Sequence, residues 1–140
     1  MKIWNKNIKT SNSSIDAFLS GEDIVLDQEL FLYDIEASIA HAEELKAIKI
    51  LNASEFKKMV SALKKLAKLF SMNKFKLTKK YEDCHSAIED FLIKELGDLG
   101  KKIHTGRSRN DQVLVAMRLY ARDHLQEIQA LNLKIAQAFL

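Results

Sequence analysis

The chain has 140 residues, 47% of them hydrophobic and 29% charged, with a formal net charge of +3. That is enough apolar material for one domain with a buried core. No apolar run approaches the roughly 18–20 residues that span a bilayer, and Met1-Lys2-Ile3-Trp4-Asn5-Lys6 lacks the apolar centre of a secretory signal, so the reading is a cytoplasmic protein with no membrane partner.

Proline is absent and glycine occurs only at 21, 97, 100 and 106, which favours long helices with few interruptions. Residues 1–29 read as an irregular arm ending in Ser20-Gly21-Glu22-Asp23. A first helix is expected over about Gln28–Lys49, with Phe31, Ile35, Ile39, Ala42, Leu45 and Ile48 on one apolar face. Asn52-Ala53-Ser54-Glu55 has the spacing of a capping box. It opens a helix with Phe56, Met59, Val60, Leu63, Leu66, Ala67 and Phe70 inward. Lys57, Lys58, Lys64, Lys65 and Lys68 lie opposite, as a solvated face does. Without interleaved aromatics this basic run does not mark a nucleic-acid groove, and no nucleic acid is expected as a partner.

A third helix is predicted from a cap at Asp83 to Gly97, with Ile88, Phe91, Leu92 and Leu96 apolar. The single cysteine, Cys84, excludes an intramolecular disulfide and a cysteine-based metal cage. Its neighbour His85 would point about 100° away on a helix, which disfavours a thiol–imidazole pair. A fourth helix starts at a Ser108 cap with Asp111 in its first turn. Val113, Met117, Tyr120, His124, Ile128, Leu131, Ile135 and Ala138 then form a heptad-like stripe that runs to the end, as in a helical bundle. This pattern implies partner helices beyond those in the chain. His41, His104 and His124 read as packing residues, and no pair of histidines has a spacing that argues for metal ligands.

Gly100–Gln112 breaks the helical pattern with a dense set of donors. Arg107 and Arg109 can fork onto carboxylates. Thr105, Ser108 and Asn110 add neutral donors, Gly106 permits close backbone approach, and the helix start that follows favours an anion. The residues alone leave two readings open: a loop that binds a carboxylate or phosphate, or an elaborate cap whose arginines pair with internal acids such as Asp111.

The run His104-Thr105-Gly106-Arg107-Ser108-Arg109-Asn110-Asp111-Gln112-Val113 resembles the signature of the argininosuccinate lyases and their lens-protein relatives, the δ-crystallins. Asp34-Ile35 and Ser38-Ile39-Ala40-His41-Ala42 resemble that family's first helix. Glu82-Asp83-Cys84-His85-Ser86 and Gly97–Ile103 resemble two further elements, and the likeness runs from Trp4 to about Asp123. Fumarase, aspartase and adenylosuccinate lyase carry different residues around the shared core of the signature.

The resemblance implies an all-α fold, with an N-terminal helical domain over 1–104. Residues 105–140 would then be the signature loop and the start of the first long helix of a central bundle. It implies β-elimination of argininosuccinate to arginine and fumarate, without cofactor or metal, in a homotetramer whose active sites each draw on three subunits. By the same resemblance Ser108, Arg109 and Asn110 hold the succinyl carboxylates, while Thr105 and Arg107 shape the loop. His85, in a helix first turn whose dipole disfavours imidazolium, would be a neutral donor to substrate. The amino-terminal arm departs from better-known members: Ser20 or Asp23 could supply a substrate contact, and Asp27 could orient the arginine end. The family's general base lies on a serine loop expected beyond residue 140, so the isolated chain is expected to be inactive. A δ-crystallin-like structural role and a small basic binding module are the rival readings.

Overall fold

A computed structural model describes residues 23–78 and 80–140, without the side chain of Asp23. The described residues are all-α with no strand: α1 (Asp23–Ala47), α2 (Ala53–Ser71), α3 (Cys84–Leu96), the short α4 (Asp98–Lys101), a 3-10 turn (Lys102–His104) and α5 (Arg109–Ala138). None of these helices is long and apolar enough to cross a membrane.

The helix ends follow their local chemistry. Asn52 Oδ1 accepts the backbone N–H groups of Ser54 and Glu55, and Glu55 accepts the N–H of Asn52, completing the expected box at α2. α1 stops short of the predicted Lys49 because Lys49 takes a left-handed conformation, φ 64°. Ile50 N–H then closes back on the Leu45 carbonyl at 2.9 Å and Lys49 N–H on Lys46 at 3.0 Å, a Schellman ending. Asn73, φ 57°, ends α2 in the same way.

α1 is the central element, packed against α2, α3 and α5. Phe31, Ile35, Ala42 and Leu45 of α1 meet Met59, Leu63 and Leu66 of α2 and Ala87, Ile88 and Leu92 of α3, all buried. Phe31 also stacks on Phe70 and Phe75, at centroid separations of 4.4 and 5.7 Å. The lysines of α2 at 57, 58, 64, 65 and 68 are exposed, as a solvated face requires.

Two expectations need correction. α1 begins at Asp23, not near Gln28, because Ile24 is buried and Asp27 bonds the start of α3, which holds the first turn in place. Ile48 is 65% exposed and not part of the core, since the chain has already left the helix there. α5 packs on α1 through Gln112 and Ala116, with Tyr120 edge-on to Tyr33 at 5.7 Å. The predicted stripe residues Met117, Ile128, Leu131 and Ile135 are more than half exposed. Their exposure accords with a stripe that needs partner helices beyond those described, while Tyr120 of the same stripe packs on α1.

Candidate functional site

Four polar residues run down one strip of α1 at helical spacing, and each reaches a different part of the candidate site. Asp27 Oδ2 accepts the backbone N–H of Cys84 at 2.8 Å, which satisfies a free donor at the start of α3. Asp34 Oδ2 accepts the Nδ1–H of His85 at 2.6 Å. Ser38 Oγ accepts Arg107 Nη2 at 3.2 Å. His41 Nε2 donates to the carbonyl of Thr105 at 3.0 Å. This ladder ties α1 to both the Glu82–Ser86 element and the signature loop. Residues 34, 38 and 41 were legible only as part of a family pattern. Their signal was the recurrence of polar types at steps of seven, four and three on a helix otherwise rich in apolar residues.

The loop divides its two arginines. Arg109 turns towards α3, where Nη1 meets Glu82 Oε1 at 2.8 Å and Nε meets Asp83 Oδ2 at 2.9 Å. The Glu82 hydrogen bond raises its pKa further against a partial burial cost. Arg107 turns towards α1; its burial lowers its pKa, offset in part by the charges of Asp34 and Asp111. Its Nε is sealed from solvent without a hydrogen-bond partner among the described residues. Of the two readings left open for the loop, arginine–acid pairing thus occurs, with Glu82 and Asp83 as the acids that Arg109 finds.

Between the arginines, Ser108 caps α5. Its backbone N–H donates to Asp111 Oδ2 at 2.8 Å and its hydroxyl donates to the same oxygen at 2.7 Å. These bonds, from side chain and backbone, hold the Asp111 carboxyl below the usual range. The backbone N–H groups of Arg109 and Asn110 have no partner among the described residues, and the positive end of a 30-residue helix lies behind them. Asn110 is exposed and its side chain makes no hydrogen bond among the described residues; Thr105 is exposed as well. Gly106 adopts φ +70° with open space where a Cβ would stand, so backbone geometry is what requires glycine there.

Asp83, His85, Ser86, Glu89, His104, Arg109 and Gln112 surround a cavity of about 200 Å³. It brings two of the predicted site residues, His85 and Arg109, to one wall, with Ser108 and Asn110 in the adjoining turn of α5. Arg107 lines a different cavity with His41 and Asp111. Asp27 is half-buried under the start of α3, and burial raises its pKa despite the Cys84 N–H bond. Ser20 and the side chain of Asp23 lie outside the described residues.

His85 differs from its sequence expectation. It is buried, and burial alone lowers its pKa; the Asp34 hydrogen bond and the charges of Asp34, Asp83 and Asp27 outweigh this, so the net direction is upward. The carboxylate contact favours the protonated ring relative to a free histidine, against the direction expected from the helix dipole. Cys84 is also fully buried, 3.6 Å from Asp34. Burial, with the surrounding carboxylates, pushes its thiol pKa far up, which leaves it unfit as a nucleophile. The donor atoms of Asp34, Cys84 and His85 lie within 4.8 Å of one another. Metal binding would need a thiolate and an imidazole lone pair, whereas Nδ1 shares its proton with Asp34, so the trio suits a hydrogen-bond cluster better than a metal.

A family model described as a lyase matches residues 4–140. The chain is 49% identical over 138 residues to argininosuccinate lyases of Xanthomonas axonopodis pv. citri and Xanthomonas euvesicatoria pv. vesicatoria. It is 47% identical to that of Stenotrophomonas maltophilia over the same length. In each case the match covers 99% of this chain and 32% of the relative, so the chain spans about a third of the length of these curated relatives. With the helical fold, the capped signature loop and a family match that reaches from residue 4 to residue 140, the chain belongs to the lyase family.

Proposed function

We propose that the chain is the N-terminal part of an argininosuccinate lyase, which cleaves argininosuccinate by β-elimination to arginine and fumarate in arginine biosynthesis. The observation that carries this reading is the meeting of His85 and Arg109 at one cavity, beside the free backbone donors of α5. Abstraction of a proton next to a carboxylate pushes charge into that carboxylate. Fixed donors aimed there stabilise the developing charge, by about 3 kcal/mol for a well-placed group.

In this reading Ser108, Arg109 and Asn110 hold the succinyl carboxylates at the start of α5, and His85 donates from α3. Thr105 and Arg107 fix the loop through His41 and Ser38. Asp27, near the start of α1, orients the arginine end of the substrate, and Ser20 or Asp23 supplies a further substrate contact. Arg109 exchanges part of its bonding to Glu82 and Asp83 for the incoming carboxylate, a trade between like partners. The general base comes from outside residues 1–140, and the exposed apolar residues of α5 enter the central bundle of a cytoplasmic homotetramer. Residues 1–104 and 105–140 then form the helical domain and the opening of that bundle.

The test is a chimera in which residues 1–140 replace the matching segment of the Xanthomonas axonopodis enzyme, assayed for fumarate release from argininosuccinate. Turnover is expected, with Arg109→Ala lowering it about 100-fold or more. A folded, assembled chimera without turnover would overturn the reading. The isolated chain is expected to release no fumarate.

A further inference from the structure

We propose that Asp34 is a positioning residue for His85: its carboxylate holds the imidazole through Nδ1 and turns Nε2, as an N–H donor, into the cavity beside Arg109. The inference rests on the lyase reading for its catalytic meaning and on the geometry alone for the pairing.

The pair is closed in from every side but one. Asp34 is fully buried and His85 is 7% exposed, with 2.6 Å between Oδ2 and Nδ1. The groups around the ring are Asp34 and Asp27 from α1, Asp83, Cys84 and Glu89 from α3 and its cap, and Arg109 and His104 at the shared cavity. Nε2 has no hydrogen-bond partner among the described residues, and it is not among the side-chain atoms sealed from solvent. His85 is among the residues that line the cavity.

Tautomer chemistry then decides what Nε2 can do. With Nδ1–H committed to Asp34, a neutral His85 would present a lone pair at Nε2, an acceptor that repels a carboxylate. Only the imidazolium presents Nε2–H as a donor. The carboxylate of Asp34 favours that form, as its hydrogen bond and charge raise the proton affinity of the ring. The acids around the site make this proton necessary. Asp27, Asp34, Glu82 and Asp83 face Arg107 and Arg109, so the site holds more carboxylates than guanidinium groups. A protonated His85 reduces the excess negative charge met by an incoming dicarboxylate.

Asp34 also reaches the signature loop. Its charge acts on Arg107, and Ser38, one turn along α1, accepts the Arg107 guanidinium. Asp34 Oδ1 has no partner among the described residues and is sealed from solvent, so there the carboxylate is held by one oxygen and is costly to keep unless it serves the ring and the arginine.

The experiment is a histidine ¹H–¹⁵N NMR titration of the 140-residue chain and of Asp34→Asn and Asp34→Glu. The expected result is a His85 midpoint above the ordinary 6.5 and a neutral form above it that keeps its proton on Nδ1. Asp34→Asn should lower the midpoint by about one pH unit or more, and Asp34→Glu should recover part of the loss. A wild-type midpoint at or below 6.5, a proton on Nε2 in the neutral form, or an unchanged midpoint in folded Asp34→Asn would each overturn the pairing. If Asp34→Asn does not fold, the wild-type midpoint and tautomer decide the matter alone. In the chimera, the alkaline limb of kcat/KM should move to lower pH in Asp34→Asn. An active chimera whose limb stays in place overturns the catalytic role. A wild-type chimera without turnover overturns the lyase reading, while the spectra still report on the pair.

Discussion

Asp34 and His85 stand 51 residues apart in the chain and meet through a 2.6 Å hydrogen bond where α1 packs on α3. Both are buried, so removing one partner strands the other in a poorly solvated place. Asp34→Ala is expected to cost about 3–5 kcal/mol. Urea unfolding at neutral pH checks it, and a loss below 1 kcal/mol would show that the pair contributes little.

The same pair gives stability a defined pH dependence. The native pKa of His85 is raised above its unfolded value of about 6.5. Its contribution is therefore full below that value and is lost as the pH rises through the higher native midpoint. Denaturation midpoints measured across neutral to mildly alkaline pH should fall in that window. Asp34→Asn should flatten this part of the curve.

Gly100 has a steric task rather than a conformational one. A Cβ there would lie 2.4 Å from the backbone carbonyl of Leu92, and backbone cannot yield as a flexible side chain does. Gly100→Ala should separate α4 from α3 and cost about 1–3 kcal/mol. A thermal melt reads the loss; an unchanged Tm would mean that α4 shifts freely.

Ser108 and Asn110 are neighbours of the same anion-binding turn with different structural duties. Ser108 closes the α5 capping box with Asp111, and Ser108→Ala should cost about 1 kcal/mol of stability as well as activity. Asn110 makes no side-chain hydrogen bond among the described residues and is exposed. Asn110→Ala should stay within about 0.5 kcal/mol in stability while lowering turnover of the chimera. Equal losses of stability in the two variants would contradict this division.

The helices were legible because caps and apolar spacing are local. Asn52, Asp83 and Ser108 could be read as caps from the residues within three positions of each. What depended on distant partners was not legible. Arg109 finds Glu82 and Asp83 across 27 and 26 positions, and Arg107 finds Ser38 across 69. The dipole of its own helix was legible for His85, whereas the Asp34 carboxylate that raises its pKa arrives from α1. The heptad stripe of α5 was visible, yet contact with α1 uses Gln112 and Ala116, which a purely apolar pattern passes over.

The division of labour in the signature loop has an evolutionary consequence. Arg107 and Arg109 join the loop to α1 and to α3, so selection for a folded chain preserves them even in a descendant that has lost its chemistry. Asn110 has no such second reason to persist. In a lineage drifting away from catalysis it should be the first of the three to vary, which makes it the position to watch when active enzymes are sorted from inert descendants.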